Sequence, residues 1–174
     1  MYVNLLAVPI IVIGLCFFGA VQRNAVWKDD YTLCRDTVRK SPTGIRPQYN
    51  LGTTLLNRGS LDEAIEHLQI VVRLDPGHAK AYSNLGVAYE MKGRLDNAIE
   101  HYHAALALDP SSAPFHSNLG RAYGKKGFRD RAIEQFQLAV KLDPANAAYR
   151  NNLVRAYGMK MSANKEDRKP DKHR

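Results

Sequence analysis

The tetrapeptide "SNLG" stands at residues 83–86 and again at residues 117–120. A near copy, "YNLG", occupies 49–52, and a weaker one, "NNLV", occupies 151–154. Their asparagines fall at 50, 84, 118 and 152, a constant step of 34 residues. Outward from this stretch, other columns keep the same step. Leu51, Leu85, Leu119 and Leu153 agree, as do Gly52, Gly86 and Gly120, with Val154 departing. Leu55, Tyr89, Tyr123 and Tyr157 follow, then Gly59, Gly93 and Gly127, then Asp62, Asp96 and Asp130. "AIE" recurs at 64–66, 98–100 and 132–134, and "LDP" at 74–76, 108–110 and 142–144. So many columns in phase mark an internal repeat, and its period belongs to stacked supersecondary units.

Each unit carries its own punctuation. The first helix of the first unit is expected from about Arg46 to Arg58, ending at Gly59, where a left-handed cap costs little. Asp62 is expected to cap the second helix by accepting from free backbone N–H groups. That helix is expected to reach about Leu74 and to stop at Pro76. Gly52, Gly86 and Gly120 fall inside first helices, where glycine costs about 1 kcal/mol against alanine. Close approach of the paired helix would offset that cost. The small Ala64, Ala98 and Ala132 are expected opposite, with Tyr89 and Tyr123 filling the space around them.

The pattern resembles the tetratricopeptide repeat family, whose motif runs bulky or aromatic, Leu-Gly, aromatic, small Ala, aromatic, Ala and Pro. Tyr82, Leu85, Gly86, Tyr89, Ala98, Tyr102, Ala105 and Pro110 match it best. Gln48, Leu55 and Leu68 depart in the first unit, and His116 departs in the third. The resemblance implies an all-α fold, a right-handed α-solenoid of antiparallel helix pairs. It covers full units at 45–78, 79–112 and 113–146, with a partial unit at 147–160. Residues 161–174, "MSANKEDRKPDKHR", lack an apolar stripe and are expected to be a disordered charged tail. A degenerate second helix around Tyr31–Lys40, followed by Pro42, is expected to close the other end.

Ahead of the repeats lies "VNLLAVPIIVIGLCFFGAV", residues 3–21, with no charge. At 1.5 Å per residue such a run reaches roughly 28 Å, close to the hydrocarbon thickness of a bilayer. Pro9 and Gly14 are tolerated in a membrane span. A cleavable signal peptide is the rival, but it wants a basic start and small residues before the cut. "MYVNLL" has no basic side chain, and Phe18 stands two residues before the candidate cut after Ala20. A retained transmembrane helix at 3–21 is therefore expected, with a juxtamembrane connector at 22–44. Trp27, Tyr31, Cys34 and Val38 share one helical face in that connector. They suit either the membrane–water interface or packing on the next helix.

Little in the chain points to chemistry. Its two cysteines, Cys16 and Cys34, lie in an apolar and a polar run, so a disulfide between them is not expected. There is no C-x-x-C, G-x-x-x-x-G-K, G-x-S-x-G or H-E-x-x-H motif,. His101 and His103 are two apart and do not share a helical face, and His67 and His101 occupy one repeat column. No cofactor, metal site or catalytic constellation is expected, and the chain by itself is expected not to be an enzyme. The net charge of +8 favours acidic partners,. Basic stripes with interleaved aromatics are missing, so nucleic acid is not an expected partner.

Protein or peptide is the expected ligand. The resemblance implies that first helices line a concave groove and that the column of Asn50, Asn84, Asn118 and Asn152 points into it. Some family members, such as the repeat domain of O-GlcNAc transferase, use an asparagine ladder there to hold an extended peptide. An amide offers donors and an acceptor, so it can pair with backbone whatever the side chains. With first helices on the order of 10 Å apart, one asparagine would meet roughly every third ligand residue. The competing explanation is that asparagine is family consensus and bonds within its own helix pair.

Helical phase also brings Arg46, Lys80, Arg121, Lys125 and Arg155 to the groove, with Glu90 the one acidic residue, a net of +4. Residues 45–160 hold 15 basic and 11 acidic side chains, the same net charge. An extended peptide of acidic character is therefore expected, unless these charges serve only solubility. The family's carboxylate clamp for chaperone tails is built on Lys and Asn in the first repeat and Lys and Arg in the third, and Tyr49, Thr53, Pro114 and Asn118 occupy those places here. Only Asn84 fits, so that ligand is not expected.

Two functional readings follow. The first is a membrane-anchored interaction module that assembles partners at a bilayer. The second starts from "RNAVWKDDYTL" (residues 23–33) and "SPTGIRPQYNLG" (residues 41–52), which resemble the junction in multi-spanning glycosyltransferase-like membrane proteins that end in such repeats. The repeats would then recruit acceptor proteins, and this chain would be a C-terminal piece or a shortened relative. The readings differ in topology. Arg23, Lys28, Arg35, Arg39 and Lys40 after the span place the repeats in the cytoplasm by the positive-inside rule. The glycosyltransferase resemblance places them in a periplasm or lumen.

Overall fold

The structure, a computed structural model, describes residues 30–166. The apolar run at 3–21, Trp27 and the last residues of the charged tail lie outside the described residues. Among the described residues no helix is long and apolar enough to cross a membrane.

Eight helices follow one another: α1 (Asp30–Lys40), α2 (Ile45–Arg58), α3 (Leu61–Leu74), α4 (Ala79–Met91), α5 (Leu95–Leu108), α6 (Ala113–Lys125), α7 (Arg129–Leu142) and α8 (Ala147–Glu166). Three helix pairs form, α2/α3, α4/α5 and α6/α7, and each pair also packs on its neighbour in sequence. The first helices reach one another as well, α2 to α4, α4 to α6 and α6 to α8, whereas α3, α5 and α7 make no comparable contact. Elements that touch their next-but-one neighbours lie on the inside of a bend. The first helices therefore line the concave side.

The stops are those the glycines and prolines dictate. Gly59, Gly93 and Gly127 adopt φ of 81°, 74° and 86°. Each closes a first helix with a pair of bonds, as in Gly59 N–H to Leu56 C=O and Ser60 N–H to Leu55 C=O,. The aspartates of "LDP" close the second helices. Asp75 Oδ1 accepts from Gly77 N–H at 3.0 Å, and Asp109 Oδ1 accepts from Ser111 N–H at 3.3 Å,. Asp62 does not cap α3. The N-cap is Ser60, with no side-chain cap bond, and Asp62 sits inside the first turn. Its carboxylate instead pairs with Lys92 of the next unit, as Asp96 pairs with Lys126 and Asp130 with Lys160. A position inside the first turn points the carboxylate outward, where the helix dipole still favours a negative charge. Pairs this exposed contribute little stability.

The core is built from the small column. Ala64, Ala98 and Ala132 are buried with Leu51, Leu85 and Leu119. The expected close approach at the helical glycines is present, but the neighbour is not the alanine side chain. A Cβ on Gly86 would stand 2.5 Å from Tyr102 Cε1, one on Gly120 2.9 Å from Phe136, and one on Gly52 2.9 Å from Leu68. The bulky column of the second helix lies across the glycine, and the alanines approach by their carbonyl oxygens, at 3.4 Å for Ala64 and 3.2 Å for Ala132.

Departures from the repeat are matched across each pair. Gln48, buried in α2, pairs with His67 of α3 at 2.6 Å, and His116, buried in α6, pairs with Gln135 of α7 at 2.8 Å. The same two residue types have exchanged columns. At the ends, α1 packs Tyr31, Cys34 and Val38 against the core of the first unit. α8 extends through residues 161–166, which were expected to belong to a disordered tail. No glycine or proline interrupts the chain between Gly158 and Pro170, so nothing stops the helix at 160,. α8 has no paired second helix among the described residues, and Val154, Tyr157 and Met161 are exposed on it.

Candidate functional site

Helical phase on α2, α4, α6 and α8 places the asparagine column between adjacent first helices. Asn84 Nδ2 donates to Tyr49 Oη at 3.3 Å and to Thr53 Oγ1 at 3.2 Å. Asn118 Nδ2 donates to Ser83 Oγ at 3.3 Å, and Asn152 Nδ2 to Ser117 Oγ at 3.3 Å. The bonds cross from one unit to the one before it, not within a helix pair. They are possible because the preceding column holds hydroxyls (Tyr49, Ser83 and Ser117). Asn50 differs. It is exposed and borders a small cavity with Asp30, Leu33 and Cys34 of α1. Because the amide nitrogen of each ties two units together, replacing both Asn84 and Asn118 with alanine should cost about 1–2 kcal/mol while leaving the chain folded,. Thermal melting of the double variant checks this.

The candidate basic residues do not form one surface. Lys80 joins Asn84, Asn118, Ser83, Pro114 and Phe115 along a groove of about 620 Å³, where Asp75 and Asp109 offset its charge. Arg121, Lys125, Arg155 and Asn152 line a second cavity of about 340 Å³ between α6, α7 and α8. Arg46 is exposed and borders neither. Positive charge thus concentrates at the C-terminal end of the concave side instead of running evenly along it. Glu90, brought to the groove by helical phase, is instead interior, as are Ser83 on the same helix and Ser117 on α6. Arg129, which helical phase does not bring to the groove, lines the second cavity. Its signal in the sequence is a broken column, since Leu61 and Leu95 stand at the matching positions.

Glu90 organises the middle of the concave side. Its side chain is 3% exposed. Arg121 donates to it through Nε at 2.7 Å and Nη2 at 3.0 Å, Lys125 Nζ lies 2.9 Å away, and Tyr102 Oη donates at 2.8 Å. Burial pushes the Glu90 carboxyl up, but the donors from Arg121, Lys125 and Tyr102 together outweigh it and hold the group below its usual range,. Burial, and then the charge of Glu90, push the Tyr102 phenol well up, so it stays protonated as a donor. Two of the five groove cations are therefore spent within the protein. Among the described residues no group of three or more His, Cys, Asp or Glu side chains could hold a metal ion.

Family profiles described as tetratricopeptide repeat match residues 49–113 and 90–156. The crystal structure of MamA is similar, with 29% identity, 73% of this chain and 74% of that one covered, and a TM-score of 0.68. Two further structures share the fold. The first tetratricopeptide repeat domain of Spaghetti (RPAP3), bound to the HSP90 peptide SRMEEVD, is 21% identical over 67% of this chain and 93% of that one, with a TM-score of 0.65. The repeat domain of Arabidopsis OM64 is 17% identical over 64% and 93%, with a TM-score of 0.62. No curated protein matches the chain at a significant level.

Proposed function

The chain belongs to the tetratricopeptide repeat family, whose stacked helix pairs are protein–protein interaction modules, and on that premise we propose that it binds extended, acidic peptide segments in its concave groove,. The observation that carries the reading is the pair Arg129 and Arg155, without an ion pair among the described residues, beside one apolar-floored cavity on the concave side, where Arg121 and Lys125 are already bound to Glu90. Complementary charge of this kind sets partner choice and speeds encounter. The asparagine column supports the backbone of the ligand. Asn118 and Asn152 each give one N–H to the neighbouring unit, so their second N–H and carbonyl are the groups a peptide would meet, whereas Asn84 donates to both Tyr49 and Thr53 and offers its carbonyl,. The peptide SRMEEVD on the RPAP3 domain is itself acidic. The columns of the chaperone-tail clamp hold Tyr49, Thr53, Pro114 and Asn118 here, so acidic residues would be met at the C-terminal end instead. The chain acts as a scaffold and not as a catalyst.

An array of random octapeptides, sorted by net charge and probed with the full chain in detergent, tests the reading. Acidic octamers should capture the chain most strongly, and capture should weaken as salt rises from 50 to about 500 mM, where exposed charges are screened within a few ångströms. Equal capture of acidic and basic octamers would refute it.

The uncharged run at residues 3–21 supports tethering of this module to a bilayer,. A second reading, favoured by "RNAVWKDDYTL" after that run, makes the repeats the acceptor-recruiting end of a multi-spanning glycosyltransferase-like protein. The two place the repeats on opposite sides of the membrane. Protection of the repeats from added protease in intact spheroplasts or microsomes distinguishes them.

A further inference from the structure

The four units differ at one position of the first helix, and the difference has a geometric consequence. At successive steps of 34 residues the column holds Leu56, Glu90, Gly124 and Gly158. Leu56 and Glu90 are buried, and Glu90 reaches across to Arg121 and Lys125 of the next first helix. Gly124 supplies no side chain, and the 340 Å³ cavity between α6, α7 and α8 opens there.

The rest of the site changes in step. Glu90 is held by Arg121, Lys125 and Tyr102. One unit on, those places are taken by Arg155, Met159 and Phe136. The arginine is retained while its carboxylate is gone, and the tyrosine that donated to the carboxylate has become a phenylalanine with nothing to donate. Arg129 adds a second guanidinium where Leu61 and Leu95 stand in the other units. Neither Arg129 nor Arg155 has an ion pair among the described residues, and no carboxylate lines the cavity. Its floor is apolar, from Ala132, Phe136, Ala156 and Met159.

We propose that this cavity is a carboxylate-receiving site that takes a glutamate side chain of a bound peptide, at the place Glu90 fills one unit earlier. The protein carries its own template for the interaction. In the second unit the carboxylate is supplied internally, on a stem that crosses apolar surface to reach an arginine of the next unit. In the third unit the ligand supplies it. The methylenes of the glutamate lie against Phe136 and Met159, and its oxygens meet Arg155 and Arg129 in charge-assisted hydrogen bonds. This site rests on the peptide-binding reading above and assigns its specificity.

The test uses octapeptides random at every position but one, the fixed residue being Glu, Gln, Leu or Lys. The full chain should prefer fixed Glu over fixed Gln by about tenfold, the value of one charge-assisted contact. Gly124→Glu refills the cavity from within and should abolish that preference. Gly124→Gln fills the same space without charge and should abolish it too. Arg155→Gln, an exposed substitution, should reduce it about tenfold. A Cβ at residue 124 meets only Ala132 Cβ, at 3.8 Å, so the Gly124 variants should melt at or above the wild type,. A folded Gly124→Glu or Arg155→Gln chain that still prefers glutamate would overturn the site, as would a wild-type preference for leucine or lysine. If the wild type captured no octamer at all, the peptide-binding reading itself would fall.

Discussion

Gly86→Val should lower the melting temperature by more than about 10 °C, the largest effect expected of any single substitution in the stack. The Cβ alone would enter the ring of Tyr102, at 2.5, 2.6 and 2.9 Å from three of its atoms. Tyr102 is fully buried, and its hydroxyl is anchored on Glu90. The ring therefore cannot step aside without breaking a buried hydrogen bond. Alanine at the same site should already cost about 2–3 kcal/mol. Alanine at Gly52 should cost less, because the obstructing group is the branched end of Leu68. Alanine at Gly120 should also cost less, because Phe136 borders the open cavity and can shift into it. Thermal melts of the three alanine variants read out this order directly. A Gly86→Ala chain that melts within 2 °C of wild type, about the smallest shift such an experiment resolves for one contact, would show the contact to be soft.

Glu90→Ala should cost roughly 2–3 kcal/mol. The change removes the shared acceptor of Arg121, Lys125 and Tyr102 and leaves the buried Tyr102 hydroxyl without it. Breaking a fully buried ion pair costs more, but Arg121 and Lys125 are 43% and 52% exposed and can rehydrate. Glu90→Gln retains the shape and some acceptor capacity, so its effect should be smaller. The pH dependence has a definite sign. Glu90 is held below the ordinary value of a glutamate carboxyl in the folded state by its donors Arg121, Lys125 and Tyr102. Its contribution is present above that value and is lost as pH falls through the lower, folded value. Melting measured from pH 6 downward should show wild type losing stability below about pH 4.5 more steeply than Glu90→Gln. Parallel curves would show that the carboxylate is not what titrates.

Much of the fold could be read because the repeat is local and linear. Gly59, Gly93 and Gly127 could be assigned as left-handed caps from their position after a helical pattern, and the structure places all three at positive φ. The tight spot at Gly86 was also legible, since glycine inside a helix needs a reason. What lay against it was not. The alanine column stands opposite along the pair, yet Tyr102 is long enough to fold back across the glycine. Asp62 misleads for a related reason: aspartate three residues after a helix-ending glycine looks like a cap, but the turn is two residues tighter, with Ser60 at the N-cap. At the candidate site, the basic residues were found and their grouping was not. Arg129 and Gly124 were visible only as breaks in otherwise apolar or filled columns.

The sequence by itself determined the period, the helix pairs, their stops and the small residues on which they close. All of these follow from contacts within one unit, which the 34-residue step repeats in register. The tertiary structure alone decided what happens between units. It turned the asparagine column into ties onto Tyr49, Ser83 and Ser117, withdrew Glu90 into the interior where it holds two of the groove's cations, and left an open, arginine-lined cavity beside Gly124. The reason is geometric. A period states which residues are equivalent, but which side chain reaches the next unit depends on the angle and spacing at which successive helix pairs stack, and that follows from packing the whole array.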